Sequence, residues 1–167
     1  SGRSPLPHSE IGYRVRHLRH LLGSSDKFWK QYSNGEWDLL YAFIIWSIEK
    51  LNDNGELIYI VPYNWFNSTY SSSLRKYLIS NGQFETICHF GEFKLFKDCY
   101  PNNIIFKFRK IKKLKKQPII VSEFKDKKGD IKNILSYIKN NFKNIKNHNK
   151  TIENEQFKIF KMNSFKS

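Results

Sequence analysis

Aromatic and carboxamide residues follow the most apolar stretch of the chain, in a position suited to binding chemistry. The run Leu57–Val61 is closed by Pro62, and Tyr63, Asn64 and Trp65 come next. A carboxamide can hydrogen-bond the edge of a nucleobase, and an aromatic ring can stack on its face. Asparagine is also an ordinary turn residue. From the residues alone, both a ligand-binding role and a turn role stay open for Asn64.

A second candidate for chemistry is an apolar segment that ends in a carboxylate and a lysine. The segment Pro118–Phe124 contains Glu123, is followed by Lys125, and comes after Asp98 in the chain. Nucleases that depend on Mg²⁺ hold the ion with carboxylates and can use a nearby lysine to orient the attacking water. Lysine-rich sequences also produce Glu-x-Lys by chance. A magnesium-dependent nuclease is therefore kept as the lesser alternative.

The charge of the chain indicates a polyanionic partner. The 167 residues carry a formal net charge of +14, and nucleic acid is the commonest partner of so basic a globular protein. A surface filled with lysine for other reasons is the competing explanation. Four basic residues at the end of a predicted strand are candidates for contacts to the DNA backbone, against the alternative of a solvated linker: Arg109, Lys110, Lys112 and Lys113.

Cysteine and hydropathy patterns predict a reduced, cytoplasmic protein without a metal site. Cys88 and Cys99 have neither CxxC spacing nor a histidine cluster beside them. We therefore expect no metal, and we expect Cys88 to be buried in its strand. No apolar stretch approaches the length of a membrane span, and no signal peptide is visible, so no membrane partner is expected.

The elements that must position these residues alternate between helix and strand. A helical pattern over Trp37–Lys50 precedes the run Leu57–Val61, and a second one over Ser68–Ile79 precedes the apolar run Phe84–Phe90. This order predicts an α/β protein with a mostly parallel sheet and crossover helices, in which Leu57–Val61 is buried on both faces. Ligands of such sheets bind beyond the carboxyl ends of the strands. We therefore expect function just after Val61 and just after Phe90.

The remaining segments have less distinctive patterns. Asn103–Phe108 alternates only in part, which predicts a strand near the sheet edge, and Pro118–Phe124 predicts another strand. Asp130–Lys143 has the spacing of an amphipathic helix, and Phe157–Met162 that of a short final strand. Residues 1–26 hold four of the six arginines, and we interpret them as an atypical segment, with a different coding origin and chance both left open.

Several of these segments together resemble a known family. Trp37–Phe43, Asn54–Pro62, Leu74–Leu78 and Phe90–Glu92, with Phe96, are similar in order and spacing to the TaqI-like, gamma-type adenine-N6 DNA methyltransferases of bacterial restriction–modification systems. The resemblance implies part of a class I, Rossmann-like S-adenosylmethionine-dependent methyltransferase sheet, with crossover helices and a terminal antiparallel strand. It also implies a small α+β appendage after that sheet.

The resemblance assigns roles to three residues. Leu39 and Phe43 match the family positions that line the adenine pocket of S-adenosylmethionine, although both also fit plain core packing. Phe96 matches the aromatic residue that stacks on the flipped target adenine, and the alternative is a loop ring folded onto the protein surface. Double-stranded DNA is the implied substrate. In the family, hydrogen bonds from the catalytic loop make the adenine amino group nucleophilic, with no covalent intermediate.

The chain also departs from the family pattern. It contains no Pro-Pro, so the Asn-Pro-Pro-aromatic motif is absent, and no two of its eight glycines are separated by a single residue, so the Gly-rich cofactor loop is absent too. No catalytic residue is identifiable, and weak or no binding of the cofactor is expected. We interpret residues 27–110 as the C-terminal half of a catalytic domain and 111–167 as a linker and the start of a DNA-recognition region.

Two further expectations follow from an incomplete sheet. We expect a protein partner or self-association that covers its open side, because an unpaired apolar edge favours association. We expect no methylation by this chain alone. A non-catalytic subunit that binds DNA or another protein remains the main alternative function.

Overall fold

The structure is a computed structural model that describes residues 39–96, 102–112, 117–125, 151–155 and 157–163, and single residues between 130 and 139. The segment 1–26, Asp98, Cys99 and Lys113 lie outside the described residues. Most of the predicted helix Asp130–Lys143 also lies outside them. Its described members at positions 132, 135, 136 and 139 are helical and exposed.

The described elements follow the predicted alternation of helix and strand. In chain order they are α1 Leu39–Lys50, β1 Glu56–Pro62, a 3₁₀ helix Tyr63–Phe66, a 3₁₀ turn Thr69–Ser71, α2 Ser72–Asn81, β2 Gly82–His89, β3 Asn103–Lys110, β4 Ile119–Phe124, β5 Ile152–Glu153 and β6 Phe157–Met162. Among the described residues, no helix is long and apolar enough to cross a membrane.

All six strands form one mixed sheet in the order β1-β3-β2-β4-β6-β5. Strand β3 is antiparallel to both β1 and β2, and β4 is parallel to β2. Strands β1, β2 and β4 therefore point the same way, and their carboxyl ends lie along one edge of the sheet. We call this edge the carboxyl edge. The predicted α/β class and the antiparallel strand are confirmed, but the sheet is mixed rather than mostly parallel, since only β2 and β4 pair in parallel among the described strands.

One face of the sheet is covered by the two helices, and we call it the helical face. Apolar residues that alternate along the strands share a single buried cluster with Ile44 and Ile48 of α1 and Leu74 and Leu78 of α2. The strand members of this cluster include Val61, Phe84, Ile87, Ile104, Phe106 and Phe108. Alternation places the intervening strand residues on the opposite face, which we call the open face.

The sequence predicted that β1 is buried on both faces, but the structure buries only one of them. Its burial alternates, and on the open face Ile58 is 63% exposed and Ile60 is 45% exposed. The prediction was wrong for the described chain because β1 is the outermost strand of the described sheet and only its helical face is covered.

The partial alternation of β3 predicted a position near the sheet edge, but β3 lies between β1 and β2. Its helical-face residues Ile104, Phe106 and Phe108 are fully buried. On its open face, Lys107 and Arg109 form ion pairs with the neighbouring strands. The charged residues that interrupt the apolar pattern of β3 are tolerated inside the sheet because the neighbouring strands neutralise them.

The helix predicted from Ser68 begins later, at Ser72. Ser68 instead caps the preceding 3₁₀ turn, since its side chain accepts a hydrogen bond from the backbone N–H of Tyr70 at 3.2 Å. The helix ends at Asn81, two residues after the end of the predicted pattern at Ile79. Gly82 opens β2 where that strand approaches β3 closely: a Cβ atom there would lie 2.1 Å from the carbonyl oxygen of Arg109.

Replacing Gly82 with alanine should therefore lower the free energy of unfolding by about 2 kcal/mol, as overpacking a filled site does. The obstructing atom is backbone, so it can move only by disturbing the β2–β3 pairing. Urea denaturation followed by circular dichroism measures the change. The adjacent Gln83→Ala serves as the control and should change stability by less than about 0.5 kcal/mol. Equal stability of the two variants would contradict the close β2–β3 approach.

Candidate functional site

The segment that follows β1 at the carboxyl edge is held rigidly by α2. The Arg75 guanidinium donates hydrogen bonds to the carbonyl oxygens of Trp65 at 3.2 Å and Ser68 at 2.8 Å, and to the Ser71 hydroxyl at 2.5 Å. Ser71 is fully buried, and its hydroxyl donates to the Trp65 carbonyl. One cation therefore satisfies the backbone carbonyls of a tight turn, which fixes the aromatic side chains that the turn carries.

The aromatic loop after β2 begins at Gly91, which has a left-handed backbone conformation. Gly91 has φ +52°, and a Cβ there would come 2.9 Å from the Phe124 carbonyl oxygen. The rings of Phe90 and Phe124 pack together with centroids 4.8 Å apart. Two loop residues pack against this pair, Phe93 and Leu95. Phe96 does not fold back in the same way, since it is 50% exposed.

The loop that carries Phe96 packs on the open face of the sheet. The pair Phe90 and Phe124 is joined there by Cys88 of β2 and Ile105 of β3, which are open-face residues. Cys88 is partly buried, and burial raises the pKa of its thiol to about 11, although the neighbouring Ser122 side chain opposes part of the shift. The thiol is therefore protonated at neutral pH and unsuited to nucleophilic chemistry.

Helix α1 presents an exposed ring. Phe43 is 40% exposed although its neighbours Ala42 and Ile44 are buried, so it does not belong to the core cluster beneath α1. Leu39 is the first residue of the helix. The assignment of both residues to a cofactor pocket stays a prediction.

The basic residues predicted to contact DNA have internal partners where they are described. Arg109 forms ion pairs with Glu56 of β1 and Glu85 of β2. The Lys110 ammonium donates to the carbonyl oxygens of Ile48 at 2.8 Å and Leu51 at 2.9 Å, at the carboxyl end of α1. Lysine is well suited to this place because the carboxyl end of a helix carries partial negative charge.

Lys112 is the most exposed of these basic candidates. Its ammonium lies 2.7 Å from the Asp53 carboxylate, and 84% of its side chain is exposed. An ion pair so exposed contributes little to stability, so Lys112 can exchange its partner readily. Phosphate contact by any of the candidates stays a prediction.

Of the residues in the nuclease hypothesis, Glu123 and Lys125 are described and Asp98 lies outside the described residues. Lys125 forms an ion pair with Glu153 instead. No group of three or more His, Cys, Asp or Glu side chains that could hold a metal ion occurs in the part of the chain that the structure describes.

Sequence reasoning missed a groove on the helical face at the carboxyl edge. His89 ends β2, and Glu123, one residue before the end of β4, lies directly opposite it in the parallel register. The groove has a volume of about 490 Å³ and extends from these residues to Tyr63 and Phe66 on one side and Phe160 on the other. Polar residues at the ends of two neighbouring parallel strands are the signal that could have found it.

His89 lies in the groove as a stacked and neutral imidazole. The His89 ring stacks on Tyr63 with centroids 4.3 Å apart, and its Nε2 atom is buried without a hydrogen-bond partner among the described residues. Burial lowers the pKa of His89, and the nearby Glu123 carboxylate offsets only part of that effect. The imidazole is therefore neutral at neutral pH.

Comparisons with known proteins relate the chain to restriction–modification methyltransferases. The sequence profile of the Eco57I restriction-modification methylase family matches residues 15–96, just under half of the chain. Two type II methyltransferases of Haemophilus influenzae, M.HincII and M.HindII, are each 43% identical over 89 residues, which cover 53% of this chain. The chain spans less than a fifth of the length of these relatives, 18% and 17% respectively.

Solved structures show the same fold at low sequence identity. The type IIG restriction endonuclease BpuSI matches 96% of this chain over 18% of its own length, with TM-score 0.61 and 17% identity. A modification subunit of a putative type I restriction enzyme from Vibrio vulnificus matches 72% over 27% (TM-score 0.55, 15% identity). A putative class I S-adenosylmethionine-dependent methyltransferase from Listeria monocytogenes matches 66% over 34% (TM-score 0.52, 20% identity).

The ion pairs on the open face make stability depend on pH in the acid range. Burial alone would raise the pKa of Glu85, but hydrogen bonds and charge from Arg109 and Lys107 lower it below the usual value of 4.5. A lowered pKa in the folded state stabilises the fold above about pH 4.5, and this contribution is lost as pH falls.

Glu85→Gln should therefore flatten the fall in unfolding free energy between about pH 5 and pH 3. Denaturant unfolding at a series of pH values measures this slope. The matched control is Glu155→Gln, an exposed carboxylate for which the slope should match that of the unmodified chain. An unchanged slope for Glu85→Gln would mean that the ion pairs do not form in solution.

Proposed function

We propose that the chain is part of a DNA methyltransferase of a restriction–modification system that transfers a methyl group to the N6 atom of adenine. The observation that carries the proposal is the match of residues 15–96 to the Eco57I restriction-modification methylase family. The relatives M.HincII and M.HindII, at 43% identity, support the same class of activity. Adenine as the target rests on the resemblance of the strand and loop motifs to the gamma-type enzymes.

Phe96 is proposed to stack on the target adenine after it leaves the duplex. A base must be extruded before chemistry on its amino group, and an aromatic face offsets part of the lost stacking. Two observations support this role. Phe96 is half exposed at the carboxyl edge, and its loop is anchored on both sides of Gly91 by the packed rings of Phe90 and Phe124.

The residues of this chain fit only one end of the cofactor. The exposed ring of Phe43, with Leu39 at the start of the same helix, would contact the adenine of S-adenosylmethionine. The cofactor supplies an activated methyl group when it is bound. The sequence has no Gly-rich loop for the rest of the molecule, so we propose that this chain alone binds it weakly or not at all.

The partner we propose completes the sheet along β1. Among the described residues β1 pairs on one side only, with β3, and Ile58 and Ile60 are exposed on its open face. An apolar strand with one free edge is a template for another strand. The remainder of the methyltransferase, including its catalytic loop, would pair here, and this chain by itself would be inactive.

DNA contacts of this chain would come from exposed basic side chains rather than from those with partners inside the fold. Of the basic candidates Arg109, Lys110, Lys112 and Lys113, the described residue most able to reach a phosphate is Lys112, because its only described partner is an exposed carboxylate. Phosphate contacts position a protein on DNA without reading sequence.

The proposal is tested by fragment complementation. The chain is mixed with the portion of M.HincII that precedes its matched 89 residues. Incorporation of methyl groups from labelled S-adenosylmethionine into duplex DNA is then measured, and the modified base is identified by mass spectrometry. We expect no activity for either part alone and N6-methyladenine for the mixture. A mixture that binds but forms no methylated base would favour a non-catalytic subunit.

Phe96→Leu in the complemented enzyme should lower the rate of methylation about tenfold, since base stacking on an aromatic ring contributes about 1–3 kcal/mol. Tyr70→Leu is the matched control, because Tyr70 is another aromatic residue on the surface, 53% exposed, that no proposed role involves. Equal rates for both variants would contradict base stacking by Phe96 while leaving the methyltransferase assignment standing.

A further inference from the structure

The groove on the helical face combines flat rings with polar side chains. Its rings are those of Tyr63, Phe66 and Phe160, and its floor is formed by Ile87, Val121 and Met162. We call this set, together with the polar residues described next, the aromatic trench. Its volume of about 490 Å³ lies within the roughly 300–1,000 Å³ of typical ligand sites.

The rings of the trench are held in place by other contacts. Tyr63 stacks on His89 at 4.3 Å and lies nearly parallel to Phe66, with centroids 5.8 Å apart and planes 14° apart. The Asn67 side-chain amide donates to the Tyr63 hydroxyl at 3.1 Å. A flat ligand would therefore meet preorganised surfaces, which reduces the entropy lost on binding.

The polar groups of the trench can both donate and accept hydrogen bonds. The Glu123 carboxylate accepts only, and among the described residues no side-chain hydrogen bond or ion pair engages it. The carboxamides of Asn67 and Asn163 both donate and accept, and the buried Nε2 of His89 has no partner among the described residues. The opposite β6 residue, Lys158, directs its ammonium elsewhere, over the Phe160 ring at 5.6 Å and to Glu153 at 3.9 Å.

We propose that the aromatic trench binds a single unstacked nucleobase that carries an exocyclic amino group, with Glu123 accepting a hydrogen bond from that group. Carboxylates accept from the amino groups of bases, carboxamides pair with base edges, and aromatic rings stack on base faces. The choice of DNA as the source of this base rests on the proposed function. The binding of the base itself does not.

A cationic side chain fits the trench less well. Lysine and arginine carry donors only, so they would pair with the Glu123 carboxylate but could not accept a hydrogen bond from the Asn163 amide. A nucleobase presents an amino donor beside ring acceptors and meets both kinds of group. The trench is also distinct from the surroundings of Phe96, because that loop packs on the open face and the trench lies on the helical face.

Titration of the chain with free nucleosides, followed by ¹H–¹⁵N NMR, tests the proposal. We expect adenosine and cytidine, which carry amino groups, to shift the amide signals of Tyr63, His89 and Glu123, and uridine and thymidine to bind at least fivefold more weakly. Glu123→Gln should weaken adenosine binding about fivefold, because a charge-assisted hydrogen bond is roughly twice as strong as a neutral one. Glu155→Gln, an exposed carboxylate that does not line the trench, is the control and should leave binding unchanged.

A second arm separates the source of the base. A single-stranded oligonucleotide with one adenine in a run of thymines should bind the chain more tightly than the same strand with an abasic site at that position. Equal binding by the two strands would leave free nucleosides as the ligand and overturn DNA as the source.

Three results would overturn the trench assignment itself. The first is uridine binding as tightly as adenosine, and the second is adenosine binding that Glu123→Gln does not change. The third is binding of N-acetylarginine amide without any nucleoside binding, which would make the trench a site for a cationic side chain. Because these measurements need neither methyl transfer nor a partner, their failure is distinguishable from failure of the methyltransferase proposal.

Discussion

The described structure depends on the placement of β3 between β1 and β2. Strands β1 and β2 follow one another through α2 and run in the same direction, yet no hydrogen bond joins them. The antiparallel β3 supplies backbone partners to both. The buried residues Ile104, Phe106 and Phe108 bring the helical face of all three strands into one core with α1 and α2. Without β3, β1 would have no partner strand among the described residues, and it would be separated from β2, which also pairs with β4.

The open face is stabilised by charge instead of apolar packing. Lys107 lies 2.9 Å from Glu56 and 3.1 Å from Glu85, so this ammonium, like Arg109, joins β1 to β2 across β3. These side chains are about one third exposed, so solvent screening reduces the strength of each pair. The arrangement keeps charged residues in a sheet interior without leaving them unpaired. It also explains why basic residues that look available for DNA in the sequence have structural partners.

The order of helices and strands could be predicted from the sequence because each pattern is local. The strands predicted at residues 57–61, 84–90, 118–124 and 157–162 are confirmed to within two residues at each end. The position of β3 in the sheet could not be read from its own residues, because alternation reports burial and not neighbours. The exposure of Ile58 and Ile60 was missed for the same reason: an apolar run indicates what must be covered, not what covers it.

The candidate site was predicted in location but not in detail. The carboxyl edge after Val61 and after Phe90 was expected from the rule for parallel sheets. The trench was not, because the pairing of His89 with Glu123 joins strands 34 positions apart in the sequence, and only the parallel β2–β4 register brings them together. Phe96 and Phe43 were singled out by resemblance alone, and their exposure gives each the surface that its proposed ligand requires.

The central claim is that the free edge of β1 is where the rest of a methyltransferase sheet attaches. Hydrogen–deuterium exchange of the β1 amides tests it most directly. In the chain alone, the amides of Glu56–Val61 that do not bond to β3 should exchange quickly, while those paired with β3 stay protected. Adding the complementary portion of M.HincII should slow the fast set and leave the protected set unchanged. Fast exchange that persists in a complex that has formed would contradict the claim.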